Sequence, residues 1–260
     1  MLSKLDHQRA ADSLIEAARS KIQAVQPSVT WPDITLRDAY EISRRVAEIK
    51  QANGGRIIGH KVGLTSKAMQ RSSKIDEPDY GYIFSDMVSL NGTPLEFETF
   101  CLPRVEPELT FQLKDGLKGP NVTFLDVLEA TQYVIPSIEI IDARVVEPRK
   151  IFDTVADNGA AAALILGGCP VRPHDIDLGK IGALMRRNGE IEETGLAAGV
   201  LGHPAEAVAW LANKLAEFDL VMEPGHLILS GSFTRPVFAE KGDTLSADFG
   251  VLGTVSVALI

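Results

Sequence analysis

The chain has 260 residues, 45% hydrophobic and 23% charged, the balance of an ordinary globular protein long enough to bury one sizeable core. A formal net charge of -9 argues against nucleic acid and anionic membrane as partners, since both reward positive charge. The two cysteines, Cys101 and Cys169, are too few for a disulfide framework or a cysteine zinc site, and their apolar neighbours suggest free buried thiols.

The N-terminal stretch has no apolar core of signal-peptide type, and no run of about eighteen apolar residues occurs, so a cytoplasmic protein is expected. Leu5, Leu14, Ile15, Ala18, Ile22 and Val25 recur at helical spacing and predict a first helix. A proline-containing loop, QPSVTWPDIT, follows. Thr35 then caps a second helix carrying Ala39, Ile42, Val46 and Ile49, with Asp38 placed as in a capping box and Asn53-Gly54-Gly55 as the stop. The character changes at Arg56: RIIGHKVGLT reads as a strand, and Ser66 is placed to cap a short helix, SKAMQRS. From Tyr82 onward strands dominate, punctuated by turns such as Asn91-Gly92 and Asn188-Gly189. Two helices are expected among them, from about Phe124 to Tyr133 and from Pro204 to Glu217. The tail DTLSADFGVLGTVSVALI alternates like closing strands, and no internal repeat or low-complexity stretch is present. The fold class is α+β.

Five segments hold residues able to carry chemistry. In Arg104-Val105-Glu106-Pro107-Glu108-Leu109, strand alternation puts Glu106 and Glu108 on one face and Val105, Leu109 and Phe111 on the other. Adjacent carboxylates repel unless a cation sits between them, and a hard divalent ion such as Mg²⁺ prefers such oxygens; a solvated pair of surface glutamates fits the same pattern. Glu139 sits inside the apolar run IPSIEII, where a lone carboxylate must be paired or metal-bound; Arg144 is one available partner. Lys61, mid-strand in GHKVGLT, is a candidate catalytic residue or a lysine reaching out to solvent, and its neighbour His60 reads as a packed or surface residue and not a metal ligand. Taken alone, Glu77-Pro78-Asp79-Tyr80-Gly81 reads as a turn, and Gly231-Ser232-Phe233-Thr234 as a tight polar loop able to hold a carboxylate. Asp157-Asn158, between two apolar runs, is ambiguous.

Together GHKVGLTSKAMQ, DEPDYG, PRVEPELTF, IPSIEIIDAR, RKIFDTVADNGA, NGEIEETGLAAGVLGHPAEAVAWLANKLA and GSFTRPV resemble the hydratase/decarboxylase branch of the fumarylacetoacetase superfamily, over nearly the whole chain. The resemblance implies a helical N-terminal region (1–75, contributing Lys61) before a strand-rich mixed β domain (76–260) of fumarylacetoacetase C-terminal type. It implies a divalent metal, Mg²⁺ or Mn²⁺, held by Glu106, Glu108 and Glu139, with Lys61 and Asp79 catalytic and Ser232 and Thr234 facing substrate. The implied reaction adds water to a 2-hydroxy-2,4-dienoate or 2-oxo-4-enoate, of the 2-oxohept-4-ene-1,7-dioate or 2-oxopent-4-enoate type, in meta-cleavage aromatic catabolism. The implied partners are a small 2-oxo or 2-hydroxy acid, further copies of the chain in a homo-oligomer, and the pathway decarboxylase. Decarboxylases of the branch share the metal site but carry an apolar residue where this chain has Asp79. Decarboxylation of 4-oxalocrotonate, acylpyruvate hydrolysis and a non-catalytic partner role are the rival readings. The hydrolysis needs a water-activating His-Glu pair that has no match here, and a scaffold has no reason to keep three clustered carboxylates.

Overall fold

The structure is a computed structural model and describes residues 1–67, 70–71 and 77–260. The first helix, α1 (Lys4–Ser20), is opened by a Ser3/Asp6 capping box and closed by Lys21 in the left-handed region at φ 61°. It is therefore shorter than its apolar spacing predicts, and Ile22 and Val25 lie beyond it, exposed. The physical reason is a competing pairing: Ala24 donates to the Arg144 carbonyl and accepts from Val146, a bridge that a continued helix would forbid. The expected loop contains a short helix, α2 (Pro27–Thr30), anchored where the Ser28 N–H and hydroxyl both donate to the buried Asp153 carboxylate.

The next helix, α3 (Leu36–Ala52), starts at the expected Thr35/Asp38 capping box. Asp38 is buried and does a second job. Its other oxygen accepts the Leu2 N–H and meets the His7 ring at 2.9 Å, which ties α1 to α3. Tyr40 of α3 stacks on Tyr80 at a centroid distance of 4.5 Å, joining the helical layer to the sheet.

Strands and helices then alternate in the order β1 (Ile57–Gly63), β2 (Asp79–Phe84), β3 (Val88–Leu90), β4 (Pro103–Leu113), α4 (Phe124–Ala130), β5 (Thr131–Asp142), α5 (Ile151–Ala156), β6 (Ala161–Leu166), β7 (Gly182–Arg187), β8 (Glu190–Leu196), α6 (Pro204–Ala216), β9 (Leu227–Leu229), β10 (Val237–Phe238), β11 (Thr244–Asp248) and β12 (Thr254–Ala258). Among the described residues the main sheet runs β2-β1-β9-β4-β5-β6-β3, with β10 also on β4, and a second sheet runs β12-β11-β7-β8. This is the α+β arrangement expected, and among the described residues no helix is long and apolar enough to cross a membrane.

The local departures have local causes. The helix expected to reach Tyr133 stops at Ala130, because Thr131 begins the long antiparallel pairing of β5 with β4. Asp79 is the first residue of β2, paired with Gly63, and not part of a turn. The helix α5 lies where none was expected; at six residues it is too short to show a period. Cys169 is exposed, not buried, because the chain leaves the sheet at Gly167-Gly168, and Cys101 is half-buried. The short helix expected from Ser66 runs into residues 68, 69 and 72, and the expected boundary at 75 falls within 72–76; these lie outside the described residues. The strand β1, from the first part of the chain, lies within the main sheet.

The parallel pairing of β1 with β9 requires a close approach at Gly59, where a Cβ would stand 1.9 Å from the Leu227 carbonyl oxygen. Gly59→Ala is expected to cost about 1–3 kcal/mol of unfolding free energy, as overpacking against rigid backbone does. Denaturant unfolding with an unchanged midpoint would refute this reading of the contact.

Candidate active site

The site begins with the register between β4 and β5. Glu106 stands directly opposite Glu139, and Glu108 opposite Ser137. Cross-strand partners have Cβ atoms roughly 5 Å apart, and residues two apart along a strand share a face. Register and alternation together gather the three carboxylates, and ligand oxygens of Glu106, Glu108 and Glu139 lie within 4.8 Å of one another. Oxygen ligands about 2.1 Å from one Mg²⁺ are separated by distances of this order.

Such a cluster is costly. Glu108 and Glu139 are buried, and among the described residues none donates a hydrogen bond to either carboxylate oxygen of Glu139. Burial, then repulsion from Glu139, pushes Glu106 up to about 8 and drives Glu108 upward as well. Burial also raises Glu139, against the pull of Lys61. Two orphaned acceptors at the centre of a carboxylate cluster are what a hard cation would satisfy, so the residues present fit a divalent metal.

One cation of the chain already points there. The Lys61 Nζ lies 3.7 Å from Glu139 Oε2 and donates to the Gly159 carbonyl at 2.9 Å. Burial opposes its charge, but Glu139, Asp79, Glu106 and Glu108 outweigh it and hold the ammonium above the usual lysine range. Glu139 is thus paired with Lys61, while Arg144 is engaged by Asp157 through its backbone N–H, its Nε and the Asp157 carbonyl. Asp79 is buried, its Oδ1 has no hydrogen-bond partner among the described residues, and burial raises it above the usual range, with Lys61 pulling the other way. The glycine opposite it, Gly63, makes the room: a Cβ there would stand 2.2 Å from Asp79 Oδ1 and 3.1 Å from Lys61 Nζ.

The acceptor for Lys61 is built by an unusual turn. Asn158, Gly159 and Ala160 all have positive φ, at 57°, 61° and 58°. Asn158 is held there because its side-chain amide accepts the Tyr82 N–H and donates to the Tyr82 carbonyl, mimicking a strand partner for β2. A second loop closes the other side. The neighbours of β4 change from β10 at residues 104–105 to β9 at 110–112, and between them Ser230 and Gly231 approach its edge. The Gly231 N–H donates to Glu108 Oε2 at 2.9 Å. Ser232 and Thr234 face the same cavity, but their hydroxyls are engaged within the loop: Ser232 Oγ donates to the Thr234 carbonyl and Thr234 Oγ1 to that of Arg235.

These parts enclose a cavity of about 660 Å³ that brings together Lys61, Asp79, Glu106, Glu108, Ser232 and Thr234. Glu139 lies beneath them within the carboxylate cluster. His60 is buried against Tyr82 and His226, the packed one of its two expected placements. The positioning roles of Gly63, Asn158, Gly159 and Gly231 are not visible in the sequence; the pairs Asn158-Gly159 and Gly231-Ser232 carry only a weak turn signal.

Residues 33–259 match the family described as fumarylacetoacetate (FAA) hydrolase C-terminal, and the chain belongs to that family. It is 50% identical to 2-oxo-hept-4-ene-1,7-dioate hydratase of Escherichia coli, over all of both chains. It is 39% identical to 2-hydroxyhexa-2,4-dienoate hydratase of Comamonas testosteroni over 94% of each. In structure it resembles 4-oxalocrotonate decarboxylase from Pseudomonas putida G7, complexed with magnesium and adipate, with a TM-score of 0.97, 32% identity and coverage of 100% and 99% of the two chains.

The raised carboxylates have a measurable signature in metal-free protein. Glu106 keeps its proton in the folded chain up to about 8 but loses it near 4.5 when unfolded. Within that window the folded state binds more protons, so stability must fall as pH rises. Metal-free protein is expected to lose thermal stability between about pH 5 and pH 8, and Glu106→Gln to flatten that slope. Stability that climbs through this window would contradict a Glu106 carboxyl held protonated by burial and by repulsion from Glu139.

Proposed function

We propose that the chain is a divalent-metal-dependent hydro-lyase that adds water to a 2-hydroxy-2,4-dienoate or 2-oxo-4-enoate, giving a 4-hydroxy-2-oxo acid in meta-cleavage aromatic catabolism. The observation that carries this reading is the convergence of three clustered glutamates, Glu139 among them with no hydrogen bond from the described residues, a charged lysine and a buried aspartate at one cavity, in a chain with full-length likeness to a hydratase. Glu106, Glu108 and Glu139 would hold Mg²⁺, or Mn²⁺ in its place. When bound, the ion supplies a Lewis acid that steadies negative charge on the substrate's C1 carboxylate and C2 oxygen.

The reaction needs two proton movements and one attack. Protonation of the dienol at C5 leaves a C3=C4 double bond conjugated to the C2 carbonyl. Water then attacks C4, and a proton delivered to C3 completes the 4-hydroxy-2-oxo acid. Asp79 suits the proton work: its carboxyl is raised by burial, faces the cavity and has a free oxygen. Lys61 suits the electrostatic work. It is held charged and fixed against the Gly159 carbonyl, a cation placed to stabilise a developing enolate without reorganising. Ser232 and Thr234 would shape the wall against which the acid lies. We further read the protein as a cytoplasmic homo-oligomer that associates with the pathway decarboxylase; light scattering of the purified protein, alone and with that enzyme, tests both contacts.

Metal-free protein is expected to be folded but inactive, and full turnover after EDTA treatment with no residual metal would sink the metal assignment. Lys61→Ala and Asp79→Asn are each expected to lower kcat by roughly 10² or more. Variants running at the parent kcat with only KM changed would mean that neither residue takes part in the chemistry. Loss of the dienoate's ultraviolet absorbance should accompany hydrated product with little CO₂ released from 4-oxalocrotonate; CO₂ without hydrated product would make the protein a decarboxylase.

A further inference from the structure

Two arginines at the outer end of the cavity have no part in the chemistry above. Arg104 precedes Glu106 by two residues in β4 and lies on the same face of the strand. Arg149 reaches the cavity from the segment before α5. Their side chains are 23% and 15% exposed, and both guanidiniums turn to a single carboxylate, Glu147 Oε1, at 3.2 and 2.6 Å. Two positive charges against one negative leave about one unmatched at that end. The Arg104 guanidinium is also fixed by lying over the Phe238 ring, 4.3 Å from its centroid.

We propose that Arg104 and Arg149 form a subsite for a second, distal carboxylate, so that the substrate is a dicarboxylate and not a monoacid. The inference rests on the reading that the glutamate cluster takes the C1 end. The strand then acts as a ruler. Residues two apart in β4 are roughly 6.6–6.8 Å apart along the strand. An extended seven-carbon diacid, with bonds of about 1.5 Å, spans roughly 7.5 Å between its carboxyl carbons. A five-carbon acid ends roughly 2.5 Å short by the same bond lengths and carries nothing for a guanidinium to bind. Beside Arg104 the cavity is lined by Ile141, its cross-strand partner, an apolar surface against which the hydrocarbon next to a distal carboxylate can lie. Paired guanidiniums partly withdrawn from water bind a carboxylate through charge-assisted hydrogen bonds stronger than neutral ones. A third arginine of the cavity, Arg235, fits less well: its side chain is 78% exposed and it is paired one-to-one with Glu193 at 2.6 Å.

The test is calorimetric titration of Mg²⁺-loaded protein with two inert acids matched in length, 2-oxoheptanedioate and 2-oxoheptanoate. Both present the same 2-oxo acid end, and only the first has a distal carboxylate. Parent protein is expected to prefer the diacid by about 10- to 100-fold, the worth of a charge-assisted contact. In Arg104→Gln and Arg149→Gln that preference should shrink at least tenfold, while Arg235→Gln should keep it. Binding of the monoacid by each variant reports that its site is still folded. Equal binding of the two acids by the parent, a preference untouched in both variants, or a preference lost only in Arg235→Gln would each overturn the subsite. Failure of the parent to bind either acid would instead bring down the assignment of the C1 end, and the subsite with it.

Discussion

Repulsion among buried carboxylates is the constraint around which this molecule is built. Glu106, Glu108 and Glu139 would not collect beneath one cavity if each were free to choose its surroundings. Their convergence is imposed by the antiparallel pairing of β4 with β5, whose register runs from Pro103 opposite Asp142 to Leu113 opposite Thr131. A one-residue slip would turn the glutamates to the opposite face of β4 and bring Val105, Leu109 and Phe111 into the cavity, exchanging a charged surface for an apolar one. Burial of Val105, Leu109 and Phe111 on one face is therefore what forces the carboxylates together on the other.

The remaining parts of the site offset that charge without cancelling it. Lys61 supplies one positive charge from β1, and the Gly231 N–H supplies a single donor to Glu108. Both Glu139 oxygens are still left without a hydrogen bond. Each supporting contact depends on a glycine: Gly63 leaves space between Asp79 and Lys61, Gly159 presents its carbonyl from a left-handed turn, and Gly231 brings its amide to the strand edge at φ 105°. Backbone reaches into the site at these points because a side chain at Gly63 would collide with Asp79, one at Gly159 would press on Lys61, and one at Gly231 would collide with Thr65. The sheet allows it because β4 changes neighbours beside the glutamates, so a loop can approach where a continuous ladder would exclude it.

How much of this was legible in the sequence depended on the range of the physics involved. Period-two alternation is local, so Glu106 and Glu108 could be paired from spacing alone, and Glu139 stood out as a charge within an apolar run. The capping box at Thr35/Asp38 is equally local and is found where it was expected. The partner of Glu139 was not legible, because Lys61 comes from a strand 78 positions earlier and Arg144, nearer in sequence, is drawn away by Asp157. Asp79 read as a turn because Glu-Pro-Asp-Tyr-Gly is turn-like until Gly63 of β1 is brought alongside it. The first helix was overestimated for a related reason: Ile22 and Val25 keep the helical period, but the bridge from Ala24 to the segment after β5 ends the helix first.

Fold and metal cluster do not choose the reaction. A decarboxylase superposes with a TM-score of 0.97, although the chain shares more sequence with a hydratase, 50% against 32%. Both chemistries can pass through an enolate stabilised at the same end of the substrate, so the same carboxylates and lysine would serve either. Under the proposed hydration, what would separate them is the group beside the carbons that gain water. Hydration needs a group that can pass a proton to and from an attacking water, held where the water arrives, and a carboxyl can do that. Loss of CO₂ needs that water kept away. Asp79 is a buried carboxyl with a free oxygen and a raised affinity for protons, set across Gly63 from Lys61. Placing such a group in an interior already crowded with negative charge destabilises the fold. A chain that only had to expel CO₂ would be more stable with an apolar side chain there, which is the physical argument for the proposal that Asp79 handles water.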